Sequence, residues 1–172
     1  MEIKNIEFKA RVTNLQDIEK KLLSLKPIFI GIDEQLDTYF SVPTGRLKLR
    51  EGNIENALIW YKRANTADAK LSTILLYNHK PDGALKQILT LLHGIKVVVQ
   101  KTRKIYFIDN VKFHLDVVEG LGHFIEVEAI DKDATIGIEK LHGQCNQYAH
   151  LFNILPSAYV AYSYSDMLLQ SL

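Results

Sequence analysis

Asp116, Glu126 and Glu128 fall on two extended runs joined by a glycine-bearing loop, and their spacing puts three carboxylates on one side of a hairpin. The runs, 113–118 and 124–130, flank Glu119-Gly120-Leu121-Gly122-His123, which reads as a hairpin connection. Side chains alternate along a strand, so His114 shares a face with Asp116, and Phe124 shares one with Glu126 and Glu128. Phe113, Leu115 and Val117 lie on the opposite face, with Ile125 and Val127. Like charges gathered that closely repel one another unless something positive sits among them. Taken alone, the stretch also fits an ordinary half-buried hairpin whose polar face meets water.

The pattern recurs along the chain. A strand over 3–12 sets Asn5, Glu7, Lys9 and Arg11 against Ile6, Phe8, Ala10 and Val12. Residues 46–50 alternate strictly, with Arg46, Lys48 and Arg50 on one face. Tyr61 and Arg63 share a face within 57–64, as do Val97, Val99, Lys101 and Arg103 within 96–109. Solvent faces would carry more short neutral residues among these charges. Repetition favours a closed antiparallel barrel with a polar lumen and an apolar outer wall, covered by helices or by a partner subunit. Such a lumen suits a polyanion such as a triphosphate. Carboxylates would hold Mg²⁺ or Mn²⁺, hard cations that prefer oxygen ligands, while arginine and lysine grip phosphate oxygens.

The remaining elements can be placed in order. Asn14 is a helix N-cap for 15–25, where Ile18, Leu22 and Leu25 have core spacing and Pro27 ends the helix. Residues 29–40 contain a strand and an acidic turn at Asp33-Glu34. A strand covers 72–79, and a helix over 84–92 stops at Gly94. The 96–109 stretch reads as strand in two parts. A long helix over 133–151 presents Ile138, Leu141, Cys145, Tyr148 and Phe152, and 162–169 forms a short final helix or turn.

With 172 residues, 47% of them hydrophobic, the sequence forms one domain over 1–172 with a substantial core. Lys+Arg 21 against Asp+Glu 20 argues against nucleic-acid binding driven by bulk charge. The single cysteine, Cys145, excludes an internal disulfide and a cysteine zinc site, and reads as a small core residue. There is no signal-peptide pattern and no apolar run of membrane-spanning length, so a cytoplasmic location with no membrane partner is expected. His114 reads as a hydrogen-bonded structural residue, and the other histidines have no metal-ligand spacing. Trp60 and the Tyr162–Tyr164 aromatics read as packing residues. Neither a P-loop nor a nucleophile elbow is present.

Several of these motifs together resemble the CYTH group, the triphosphate tunnel metalloenzymes, and most closely its class IV adenylate cyclase branch. Asn5-Ile6-Glu7-Phe8-Lys9 stands where the family shows Glu-x-Glu-x-Lys, followed in order by Arg46–Arg50, Tyr61-x-Arg63 and Lys101-x-Arg103. His114-Leu115-Asp116, Gly120-Leu121-Gly122, Phe124 and Glu126-x-Glu128 match later motifs, and Ser163-Tyr164-Ser165-Asp166 resembles the cyclase-like tail. The resemblance implies an α+β, mainly β, eight-stranded closed antiparallel tunnel with flanking helices. It implies ATP turned into cyclic AMP and pyrophosphate or, alternatively, hydrolysis of thiamine triphosphate or inorganic triphosphate. By carry-over, Glu7, Asp116, Glu126 and Glu128 would hold Mg²⁺ or Mn²⁺. Lys9, Arg11, Arg46, Lys48, Arg50, Arg63, Lys101 and Arg103 would grip phosphates, with Lys9 and Glu7 carrying the catalytic step. Lys9 could act as a general base if neighbouring cations lowered its pKa. A homodimer is also implied. Asn5 replaces the first family glutamate and supplies no negative charge, so one metal should bind less tightly, and a weakly active binding module is the further alternative.

Overall fold

The computed structural model describes the backbone of residues 2–63 and 69–171, and the side chains within them except those of residues 2–4, 63 and 70. Eight strands are present: β1 (Glu2–Arg11), β2 (Ile28–Phe40), β3 (Arg46–Glu51), β4 (Ala57–Arg63), β5 (Lys70–Asn78), β6 (Ile95–Ile108), β7 (Val111–Val118) and β8 (Gly122–Asp131). They close into a barrel in the order β1-β5-β4-β3-β2-β6-β7-β8, with every pairing antiparallel. The helices are α1 (Leu15–Leu23), α2 (Gly83–His93), α3 (Ile138–Leu151) and α4 (Tyr164–Gln170). This is the expected fold class.

Alternation assigns the faces. Ile6, Phe8 and Ala10 of β1 point outward and pack with Phe113, Leu115, Ile125 and Val127 of the neighbouring strands. Ile18 and Leu22 of α1, with Leu141, Cys145, Tyr148 and Phe152, cover that layer. Each such fully buried aliphatic or aromatic side chain contributes about 1.5–3 kcal/mol. On the far side of the barrel, Leu85 and Leu89 of α2 lie over Leu47, Leu49 and Phe40. Charged side chains at the intervening positions therefore have only the lumen to occupy.

Helix ends follow local chemistry. The Asn14 side chain accepts the N–H groups of Gln16 and Asp17, and Gly94 ends α2 at φ 70°. At α4, Ser163 and Asp166 form a reciprocal capping box.

Four expectations are corrected. Asp33-Glu34 is no turn but part of the continuous β2; the buried Asp33 carboxylate accepts the N–H groups of Ile54 and Glu55, 2.8 and 3.0 Å away. β6 is likewise one unbroken strand of 14 residues, because it pairs with β2 along most of its length. α3 begins at Ile138 rather than at residue 133, since Asp131 captures the N–H groups of Thr135, Ile136 and Gly137 and holds them in a loop. Ile138, expected in the core, is 50% exposed at the helix start.

Candidate active site

A cavity of about 440 Å³ runs inside the barrel, and the strand register divides its wall. Glu7 of β1 lies opposite Glu128 of β8, while Lys9 and His114 both lie opposite Glu126. The ligand atoms of His114, Glu126 and Glu128 fall within 4.8 Å of one another. His114 Nδ1 is 3.5 Å from Glu126 Oε2 and 3.6 Å from Glu128 Oε1.

Electrostatics differ sharply within this group. Burial, then the neighbouring Glu126 and Glu7, pushes the Glu128 carboxyl up to about 7. Burial works to raise Glu126 too, but Lys9, His114 and Arg103 hold it well below the usual carboxylate range. Burial, Arg103 and Lys112 push His114 down to about 3, so its ring is neutral near pH 7. Contrary to expectation, neither ring nitrogen makes a well-formed hydrogen bond among the described residues, the contact of Nδ1 with Glu126 Oε2 being long at 3.5 Å. An orphaned neutral imidazole beside two carboxylates, one of them reluctant to ionise alone, is what a divalent cation would complete. The carboxylates, with Glu7 next to them, suit Mg²⁺ or Mn²⁺.

The wall built by β2, β3 and β6 is basic. Arg50 donates to both oxygens of Asp37 at 2.8 and 2.9 Å, and Lys48 and Lys101 reach the same carboxylate at 3.0 and 2.8 Å. Burial pushes the Lys101 ammonium down to about 7, aided by Arg50, Arg103 and Lys48 and opposed by Asp37. Arg103 forms a two-pronged pair with Asp116 at 2.7 and 2.6 Å and reaches Glu126 at 3.0 Å. Glu55 joins Arg50, at 2.9 Å, to Lys112. β4 and β5 complete the wall with Ala57, Ile59, Ile74 and Leu76, joined by the uncharged polar side chains of Tyr61, Ser72 and Asn78.

α4 lies at one end of this arrangement. Tyr164 is buried, donates its hydroxyl to Asp116 at 2.7 Å and offers its ring face to Lys9 Nζ at 3.9 Å. Lys9 Nζ is also 3.5 Å from Glu126 Oε1. Arg46 pairs with Asp166 at 2.7 Å. Exposed Arg11 lies over the Phe124 ring and donates to the Leu121 carbonyl.

Of the residues expected in the site, Glu7, Lys9, Lys48, Arg50, Lys101, Arg103, Glu126 and Glu128 line the cavity together. Arg11, Arg46 and Asp116 are not among its described lining residues, and the two oxygens of Asp116 are already engaged by Arg103 and Tyr164. The Arg63 side chain lies outside the described residues. Sequence reasoning missed Asp37, Glu55, Lys112 and the role of Tyr164. Alternation pointed to two of them: Lys112 shares a face with His114, and Asp37 shares one with Gln35 and Tyr39 once β2 is read as continuous. Glu55, on the β3–β4 connection, had no such signal.

Comparison with known proteins now fits this geometry. A match to the CYTH domain covers residues 4–144, and the chain belongs to that family. The solved structure of the PH1012 protein from Pyrococcus horikoshii is 28% identical, with a TM-score of 0.76 over 94% of this chain and 98% of that one. A proposed adenylate cyclase from Vibrio parahaemolyticus has the same fold at 21% identity and a TM-score of 0.77, over 96% and 97% of the two chains. HpAC1 from Hippeastrum, a proposed adenylyl cyclase described with a dominant triphosphatase activity, superposes at 14% identity and a TM-score of 0.63 over 99% and 96%. No curated protein matches the sequence.

Proposed function

We propose that this chain is a divalent-cation-dependent enzyme acting on a triphosphate that bears an organic group, and that it converts ATP to cyclic AMP and pyrophosphate. The division of one cavity wall into acidic, basic and apolar sectors carries this reading. Inorganic triphosphate would engage only the first two sectors. An apolar wall of Ala57, Ile59, Ile74 and Leu76 gives a base or sugar a surface to lie against. Likeness of the Ser163–Asp166 tail to cyclase-like members puts cyclisation ahead of hydrolysis.

In this reading Glu126, Glu128 and His114 would hold Mg²⁺ or Mn²⁺, with Glu7 beside them. A cation held there would supply positive charge to offset that of the phosphates. Lys48, Arg50, Lys101 and Arg103 clamp the β- and γ-phosphates from the opposite side, with Arg46 and Arg11 toward the tunnel end. Lys9, set between Glu126 and Tyr164, faces the acidic sector and stabilises negative charge growing on the α-phosphoryl group. The ribose 3′-oxygen attacks the α-phosphorus in line, the bond to the bridging oxygen breaks, and pyrophosphate departs held by the basic wall. The hydroxyl proton passes to a group of the acidic sector, where Glu7 stands beside Glu128.

Incubation of purified protein with Mg²⁺ or Mn²⁺ and each of ATP, thiamine triphosphate and inorganic triphosphate tests this. Cyclic AMP with equimolar pyrophosphate is expected from ATP. Orthophosphate without cyclic AMP overturns cyclisation in favour of a triphosphatase. A second reading, a tunnel that holds a triphosphate and turns it over slowly, is favoured by Asn5. It is 1% exposed on the lumen side of β1, with its Oδ1 unpartnered among the described residues.

A further inference from the structure

Asp37 occupies a place that no expectation about the tunnel assigned to it. It is 1% exposed and accepts four hydrogen bonds of 3.0 Å or less from Arg50, Lys48 and Lys101. Those three donors line the cavity, whereas Asp37 is not among the described lining residues. Its carboxylate therefore grips three cations from behind. Two opposite consequences are conceivable for an anion-binding wall. A buried carboxylate could compete with phosphate for its partners, so that removing it tightens binding. Alternatively it makes the cations possible, since three positive side chains packed together repel and shed a proton from the weakest.

The geometry points to the second. We infer that Asp37 is a positioning residue for triphosphate binding: it aims Lys48, Arg50 and Lys101 into the lumen and favours the protonated form of Lys101, so that its loss weakens anion binding despite removing a negative charge. This rests on the triphosphate reading above. Arginines stay charged whatever surrounds them, which leaves the lysines to yield. Lys101 is faced by Asp37 from β2, Lys48 and Arg50 from β3, Arg103 on its own strand and, further off, Asp116 of β7, which is tied to Tyr164 of α4. Asp37 opposes the burial and the three cations that push Lys101 down to about 7. With Asp37 gone, nothing within hydrogen-bond reach of Lys101 among the described contacts offsets them.

Calorimetry with bis-imidotriphosphate and Mn²⁺, at pH 6 and pH 8, decides the matter for wild type, Asp37→Asn, Asp37→Glu and Lys101→Met. Titration of the ligand affects all four proteins equally, so the ratio of variant to wild-type affinity isolates the protein. Asp37→Asn is expected to bind about tenfold more weakly at pH 8, because Lys101 loses a carboxylate that favours its protonated form, with a smaller deficit at pH 6. Asp37→Glu keeps the carboxylate and restores most of the affinity. Lys101→Met leaves Asp37 with Arg50 and Lys48, should Asp37→Asn fail to fold, and must lose affinity relative to wild type more at pH 6 than at pH 8. Equal or tighter binding by Asp37→Asn overturns the inference, as does a deficit independent of pH or a pH-independent loss in Lys101→Met. Wild-type protein that binds no triphosphate overturns the functional reading, and this inference with it.

Discussion

Glu126 and Glu128 are two residues apart on one strand, yet their environments pull them in opposite directions: Lys9, His114 and Arg103 hold one carboxylate low, while burial beside Glu126 and Glu7 lifts the other to about 7. A divalent cation removes that conflict by making both ionised forms favourable. Glu126→Gln and Glu128→Gln should each lower Mn²⁺-dependent turnover by about 10–100-fold or more, the scale on which ligand-sphere changes act. A metal titration of activity would show both as higher half-saturation; unchanged saturation would remove the acidic sector from the site. Asn5→Glu is the converse test. A carboxylate placed beside Glu7 should lower the Mn²⁺ concentration needed, read in the same titration. Lys101 yields a pH prediction. Its folded pKa of about 7 lies below the ordinary 10.5, so between those values the unfolded chain holds a proton that the fold has released. The resulting penalty is fully present below about 7 and is relieved as pH rises toward 10.5. Lys101→Met should therefore raise Tm by several degrees at pH 6–7, with the gain shrinking by pH 10, as melting curves would show.

At the scale of elements, α3 and α4 do different work. α3 seals the outer face of β1: Cys145, 0% exposed, places Sγ 3.2 Å from the Ile6 carbonyl oxygen, and burial pushes its thiol up to about 12. Thiol reagents should modify Cys145 far more slowly in the native protein than in urea, and labelling kinetics then report opening of this layer. α4 instead touches the site. It is held by the Arg46–Asp166 pair and by the hydroxyl of Tyr164 on Asp116. Tyr164→Phe leaves the Arg103–Asp116 pair intact but removes one charge-assisted hydrogen bond, a loss of about 1.5–3 kcal/mol in chemical denaturation. The lumen faces of β1, β3, β6, β7 and β8 were legible in the sequence because period-2 alternation is imposed locally by the backbone. The hidden boundary was the start of α3, where a side chain four to six residues upstream, Asp131, captures backbone donors that helix propensity alone would have used.

For the whole molecule, closure of the barrel means that a ligand bridging the acidic and basic sectors ties strands on opposite sides together. A triphosphate with Mn²⁺ at 100 times its dissociation constant should stabilise the fold by about 2.7 kcal/mol, roughly 5–10 °C in Tm for a chain of this size. Thermal melts with either component alone should give much less, and equal shifts would contradict a shared site. Alternation and charge type already specified the barrel, its polar lumen and most of the acidic and basic side chains that line it, since both follow from local backbone geometry and need no knowledge of partners. Only tertiary structure decided which charges meet. Asp37 and Lys101 are 64 positions apart, Arg46 and Asp166 are 120 apart, and cross-strand register joins His114 to Glu126. Pairings of that range, and the pKa values they set, depend on barrel closure, because no local pattern encodes which strand comes to lie beside another.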